Sequence, residues 1–229
     1  MQTELKIQNA TQAIVSFTDS YKQNKQRKQN EQPESEQTTS ATDIVSSLES
    51  LRDKIRNNNT SKYVIQIPKL LHSLVALVTF RLGTHLREQI DQQRLEVRYN
   101  SRRCLFYIQY YGDQQKQQEL VNNGYGRVMS ISISTAGGVG EEQDYEIGNG
   151  LKYISDFLRE LHEGRYDWQP SFQPLPLLVR RSEEQIEEEG ADEELEAQII
   201  TKGYNGYIKS RANRAKAETL NHFINWLCI

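Results

Sequence analysis

The stretch 94-RLEVRYNSRRCLFYIQYYG-112 decides how the fold is read. Leu95, Val97 and Tyr99 alternate with other residues, and after Asn100 and Ser101 the alternation resumes at Cys104, Phe106, Ile108 and Tyr110. A period of two sends successive side chains to opposite faces of a strand, and Val, Ile, Tyr and Phe suit a pleated surface. The pattern predicts two strands joined by a turn at Asn100 and Ser101. Downstream, 125-YGRVMSISIST-135 sets Met129, Ile131 and Ile133 against Ser130, Ser132 and Ser134. One apolar face and one wet face belong to a sheet that is solvated on one side and commonly antiparallel.

Around these segments the period changes to that of a helix. Ile44, Val45, Leu48, Leu51 and Ile55 recur at helical spacing behind Thr42 or Asp43, either of which can cap. A long helix is expected from Pro68 to about Gln92, carrying Leu70, Leu71, Leu74, Val75, Leu77, Val78, Leu82 and Leu86 as the central core element. A short polar helix follows at 113–122. Leu151, Ile154, Phe157, Leu158 and Leu161 mark another, stopped at Gly164, and Leu220, Phe223, Ile224 and Leu227 close the chain on one helical face. Between these last two, Pro170, Pro174 and Pro176 favour an extended surface segment with Trp168, Phe172 and Leu175, followed by an acidic excursion at 181–199 that is helical or disordered.

The expected architecture is therefore α+β: a small, mostly antiparallel sheet from 95–111 and 127–135, packed by helices at about 68–92, 150–163 and 207–227. Residues 20–41 are almost wholly Gln, Asn, Lys, Glu, Ser and Thr and bury too little apolar surface to offset the entropy of ordering. They read as a disordered linker behind a short amphipathic helix carrying Leu5, Ile7, Ala10, Ile14, Val15 and Phe17. The domain reading is thus 1–41 as a polar arm and 42–229 as the folded domain.

Composition bounds the function. Hydrophobic residues are 36% and mean hydropathy is −0.75, low for a chain packed along its whole length. A net charge of −3 gives no global field for a polyanion, so contact with nucleic acid has to come from a local patch. Cys104 and Cys228 make neither a disulfide framework nor a metal knuckle, which suits a reducing cytoplasm. The longest apolar run, 70–80, contains His72 and Ser73 and falls short of the ~20 residues of a membrane span.

No reaction site assembles on paper. The glycines of 134-STAGGVGEE-142 are followed by Glu141 and Glu142, where a phosphate loop needs Lys and Ser or Thr, so a hairpin or loop is expected. His72, His85, His162 and His222 include no close ligand pair. Cys104 has Arg102 and Arg103 nearby, but it alternates with Phe106 and Ile108 on the face expected to be buried. The acidic run from Glu183 to Glu196 gives its carboxylates one shared, solvated environment, which suits a solubilising segment. No cofactor and no metal is expected.

One strip stands out. In 201-TKGYNGYIKSRANRAK-216, Lys202, Lys209, Arg211, Arg214 and Lys216 interleave with Tyr204 and Tyr207. A helix starting near Asn205 or Tyr207 puts Tyr207, Arg211 and Arg214 on one face, an aromatic platform beside two phosphate contacts. Tyr204, Tyr207, Lys209, Arg211, Arg214 and Lys216 are the candidate nucleic-acid-binding residues, with Lys22, Lys25, Arg27 and Lys28 as a second cluster in the arm. The competing reading pairs the strip with the acidic run just upstream. The sequence favours a non-enzymatic interaction or adaptor protein, a subunit of a larger assembly with protein partners. The alternative is an RNA- or single-stranded-DNA-binding subunit that uses 201–216, and an enzyme of another type ranks third.

Overall fold

The computed structural model describes residues 2–27, 38–57, 64, 66–67, 69–81, 88–134, 144–167, 170–200 and 206–220. Among these it is helical almost throughout, with ten helices and no strand. The expected α+β fold is overturned. The stretch 94–112 lies inside one helix, α4 (Glu88–Tyr111), and 125–135 falls on α6 (Tyr125–Ser134).

The helical stripe in 94–112 is Val97, Ser101, Cys104, Leu105 and Ile108, all buried and spaced by four, three, one and three. That spacing winds one face against the core, whereas the alternating set splits, with Val97, Cys104 and Ile108 inside and Phe106 and Tyr110 outward. In α6 the supposedly wet serines are inside. Ser130 and Ser132 are buried, and their hydroxyls donate to the carbonyls of Gly126 (2.9 Å) and Met129 (2.6 Å). A helix can satisfy a buried serine from its own preceding turn, which removes the cost that made the serine look solvent-facing.

The chain divides into two compact units, Met1–Gly112 and Asp113–Ile229. The first is a bundle of α1 (Gln2–Arg27), α2 (Thr38–Arg56), α3 (Leu70–Val78) and α4, in which α1 packs on α2 and α3, and both of these pack on α4. The polar stretch read as linker is helical at both ends: α1 runs to Arg27 and α2 begins at Thr38, while 28–37 lie outside the described residues. Ile7, Ala10 and Ile14 of α1 and Ile44, Val45, Leu48, Leu51 and Ile55 of α2 are buried as their spacing predicts. Each fully buried side chain of this kind contributes roughly 1.5–3 kcal/mol. The helix expected over 68–92 is two elements, since α3 ends in a turn at Thr79–Arg81 and α4 starts at Glu88.

Hydrogen bonds fix the pairing of α2 with α4. Gln93 donates to Thr42 (3.0 Å), Arg52 to Asn100 (2.7 Å), and the Tyr111 hydroxyl to the Arg56 carbonyl (3.1 Å). Both numbers rise together, so the two helices run parallel.

The second unit is built round α7 (Asp144–Glu163), the helix expected at 150–163 with two extra turns at its start. It packs against α6, α8 (Pro176–Glu188) and α10 (Tyr207–Leu220), and α9 (Ala191–Ile200) packs on α6, α8 and α10. α5 (Gln114–Asn122) is capped by Asp113, whose carboxylate accepts from the Lys116 amide at 3.0 Å. Tyr125 and Phe157 meet edge-on at 4.7 Å in the core. The acidic excursion is thus two packed helices, with Val179, Ile186 and Leu195 buried. Phe172, placed on the surface by its prolines, is buried too. Its backbone exchanges hydrogen bonds with Arg165 (2.8 and 3.0 Å) and its ring lies under the Arg165 guanidinium at 4.7 Å. Trp168 lies outside the described residues.

Candidate interaction surfaces

α10 begins at Tyr207, after a turn at Gly206 with φ 71°, and buries Ile208, Ala212 and Ala215. The two alanines and Gly148 of α7 let α10 lie close. A Cβ at Gly148 would stand 2.6 Å from the Tyr207 ring. Arg211 stacks over that ring at 3.9 Å and donates to the Gly148 carbonyl at 2.7 Å and to Asn149 Oδ1 at 3.4 Å.

Two further cations of the strip also meet acceptors within the unit. Arg214 donates to Asp156 Oδ1 at 3.1 Å, and Asp156 also bonds Lys152 of its own helix. Lys216 donates to Glu196 Oε1 at 2.8 Å, which holds the Glu196 carboxyl below the usual range. Tyr207 and Lys209 are exposed. Tyr204 and Lys202 lie outside the described residues, as does Lys28; Lys22, Lys25 and Arg27 lie on α1. Of the expected nucleic-acid set, the fold brings Tyr207 and Arg211 into one stack. Arg214 and Lys216 turn instead to acids on α7 and α9, the second of them in the acidic run.

Sequence reading missed a second surface. On α4, Tyr99, Arg103, Tyr107 and Tyr111 follow one another at intervals of four, and Phe106 and Tyr110 lie alongside. Arg103 donates to the Tyr99 hydroxyl (2.5 Å) and the Tyr107 hydroxyl (2.9 Å), with its guanidinium 5.5 and 5.7 Å from their ring centres. Tyr107 stacks on Tyr111 at 6.4 Å, and Tyr110 meets Tyr111 edge-on at 5.0 Å. Tyr110 is exposed and the other five are half-buried. Burial, followed by the neighbouring Tyr110 and Tyr107, raises the Tyr111 hydroxyl pKa. The interval of four was present in the sequence, but assignment of the segment to strands concealed it.

The nucleophile and metal candidates fall differently. Cys104 is fully buried, its Sγ 3.6 Å from the Leu48 carbonyl, and burial pushes its thiol pKa far up. A group held as the thiol is a small hydrophobe, not a nucleophile. His72 is exposed, His162 Nε2 lies 3.4 Å from Glu183 Oε1, and His85 and His222 lie outside the described residues. Among the described residues no three His, Cys, Asp or Glu side chains gather as metal ligands, and no helix is long and apolar enough to cross a membrane. The glycines at 137–140 and Cys228 lie outside the described residues.

No protein family, curated protein or solved structure matches this chain.

Proposed function

We propose that this chain is a non-enzymatic interaction protein, a subunit or adaptor of a larger assembly, and that the aromatic strip of α4 is a surface on which it engages a protein partner. The observation carrying this reading is the ordered run Tyr99–Arg103–Tyr107–Tyr111 with Tyr110 exposed beside it. Tyr and Arg are the residue types that dominate protein interfaces. Their stacking on the helix orders them before a partner arrives, which lowers the entropy lost on docking.

Binding of RNA or single-stranded DNA through Tyr204, Tyr207, Lys209, Arg211, Arg214 and Lys216 is the second reading, supported by the Arg211–Tyr207 stack. It ranks lower because Arg211, Arg214 and Lys216 already donate to Gly148, Asp156 and Glu196, so a phosphate has to displace an acceptor at each.

The test compares wild type with Tyr107→Ser, Tyr110→Ser in two assays: recovery of a stoichiometric partner, weighed by light scattering, and binding of mixed-sequence single-stranded RNA across a salt series. A partner held by wild type and lost by the variant is the expected result. Salt-sensitive RNA binding abolished by Arg211→Glu, Arg214→Glu, with no protein partner recovered, overturns the proposal.

A further inference from the structure

A lone exposed leucine says nothing, since much of any protein surface is apolar. Two exposed aliphatic residues of the second unit stand apart from that background, because their surroundings carry opposite charge. Leu177 on α8 is 83% exposed and Ile200 on α9 is 80% exposed, the highest values for large apolar residues among the described residues.

Helical spacing puts each on an outward face. α8 turns Val179, Ser182 and Ile186 to the core, and at about 100° per residue Leu177 points the opposite way, with Arg180 and Arg181 exposed beside it. α9 buries Ala191, Leu195 and Gln198, which leaves Glu193, Glu196, Ala197 and Ile200 outside. Around Leu177 the nearest charges are cations, and around Ile200 they are carboxylates.

Some of this charge is already spent within the chain. Arg180 donates to Glu184 at 3.2 Å, and Glu196 accepts from Lys216 at 2.8 Å. Arg181 and Glu193 are different. The Arg181 guanidinium donates to the neutral Asn122 Oδ1 at 2.6 Å, and among the described residues neither Arg181 nor Glu193 forms an ion pair.

The two faces also match in spacing. Leu177 and Arg181 are four residues apart, as are Ala197 and Glu193, an advance of about 6 Å along each helix. With α8 of one copy laid antiparallel to α9 of another, Leu177 falls over Ala197, whose small side chain leaves room for it, with Ile200 alongside. The same register brings Arg181 to Glu193. A face laid on its own twin does the reverse: α8 on α8 opposes arginines to arginines, and α9 on α9 opposes Glu193 and Glu196 to their counterparts. Like charges across a contact work against it.

We infer that copies of this chain associate through α8 of one against α9 of another, with Leu177 packed on Ala197 and Ile200 and with Arg181 paired to Glu193. The inference goes beyond the α4 strip: it uses other helices, and its partner is a second copy. Because the two faces differ, the contact is heterologous, and each copy has one face to give and one on which to receive.

The experiment measures the mass of the full chain against its concentration by light scattering. Wild type is expected to gain mass between about 10 µM and 1 mM, a range suited to a small contact. The gain is expected to shrink from about 50 mM to about 0.5 M salt, as the Arg181–Glu193 pair is screened. Leu177→Glu and Ile200→Arg both change exposed side chains, so each is expected to melt with wild type and to associate at least about tenfold more weakly. Mixed in equal amounts, the two variants are expected to form a heterodimer, because the α9 face of the first and the α8 face of the second are intact. A wild type that stays monomeric to the top of that range overturns the inference, as does a mixture no heavier than its components. Association lost in Tyr107→Ser, Tyr110→Ser and kept in Leu177→Glu also overturns it and moves self-contact to the α4 strip.

Discussion

The guanidinium of Arg211 lies 3.9 Å above the ring of Tyr207 and donates at 2.7 Å to the Gly148 carbonyl, so one side chain fastens the start of α10 to α7. The joint exists because residue 148 has no side chain. In an ordinary helix interior, Gly→Ala stabilises by up to about 1 kcal/mol. At Gly148 the new methyl would stand 2.6 Å from the Tyr207 ring. Gly148→Ala is expected to destabilise by about 1–3 kcal/mol in chemical unfolding followed by circular dichroism. In a double-mutant cycle with Tyr207→Ala, most of that loss disappears, and a cycle that is additive sinks the account.

Arg165 and Glu160 form an ion pair at 2.5 Å, with side chains 2% and 11% exposed. Removing one partner of such a pair leaves an uncompensated charge, at a cost of about 3–5 kcal/mol. Glu160→Leu is expected to lose that much, and Glu160→Leu combined with Arg165→Met to recover a large part of it. Equal losses in the single and double variants would show that burial of this charge is not what the pair controls.

The Glu218 carboxyl pKa is raised, first by partial burial and next by the charge of Glu163. A carboxyl raised in the folded state takes up protons there before the unfolded chain does, so folding stability falls as pH rises through that window. Glu218→Gln is expected to melt above wild type at pH 7, with the two curves converging below about pH 4, where the acid is protonated in both states. A difference that persists unchanged at low pH removes the electrostatic cause.

The raised Cys104 thiol makes the same kind of statement about reactivity. In a Cys228→Ser background, iodoacetamide is expected to leave the native chain unlabelled through pH 9, where a free thiol is largely ionised, and to label Cys104 at once in denaturant. Labelling of the native chain that climbs between pH 7 and 9, measured by intact mass, contradicts the burial.

Where the helical period stood alone in the sequence, it was legible. Ile44, Leu48, Leu51 and Ile55 in α2, and Leu151, Ile154, Phe157, Leu158 and Leu161 in α7, are buried as their spacing predicts, and α10 starts at Tyr207, the later of the two starts considered for it. It failed where two periods were superposed. In α4, Val97, Cys104 and Ile108 satisfy both a strand and a helix, and the abundance of Tyr, Phe and Val tilted the reading towards a sheet. Serine was misread for a related reason, because Ser130 and Ser132 find acceptors in their own helix. The strip at 201–216 was seen, but its charge partners were only half seen. Glu196 lay in the acidic run, whereas Asp156 and the Gly148 carbonyl come from a helix more than fifty residues away that no local pattern ties to it.

The parallel alignment of α2 and α4 sets a clock. The hydroxyl of Tyr111 reaches back to the carbonyl of Arg56, so the last turn of α2 is completed by a residue made 55 positions later. At a ribosomal pace of about 5–20 residues per second, that is a wait of about 3–11 s. Until α4 emerges within that interval, the helix carrying Ile44, Leu48, Leu51 and Ile55 has α1 to pack on and still lacks its α4 contacts. The nascent first unit therefore passes through a stage with an apolar face showing, and ends it only when α4 arrives to shut the bundle.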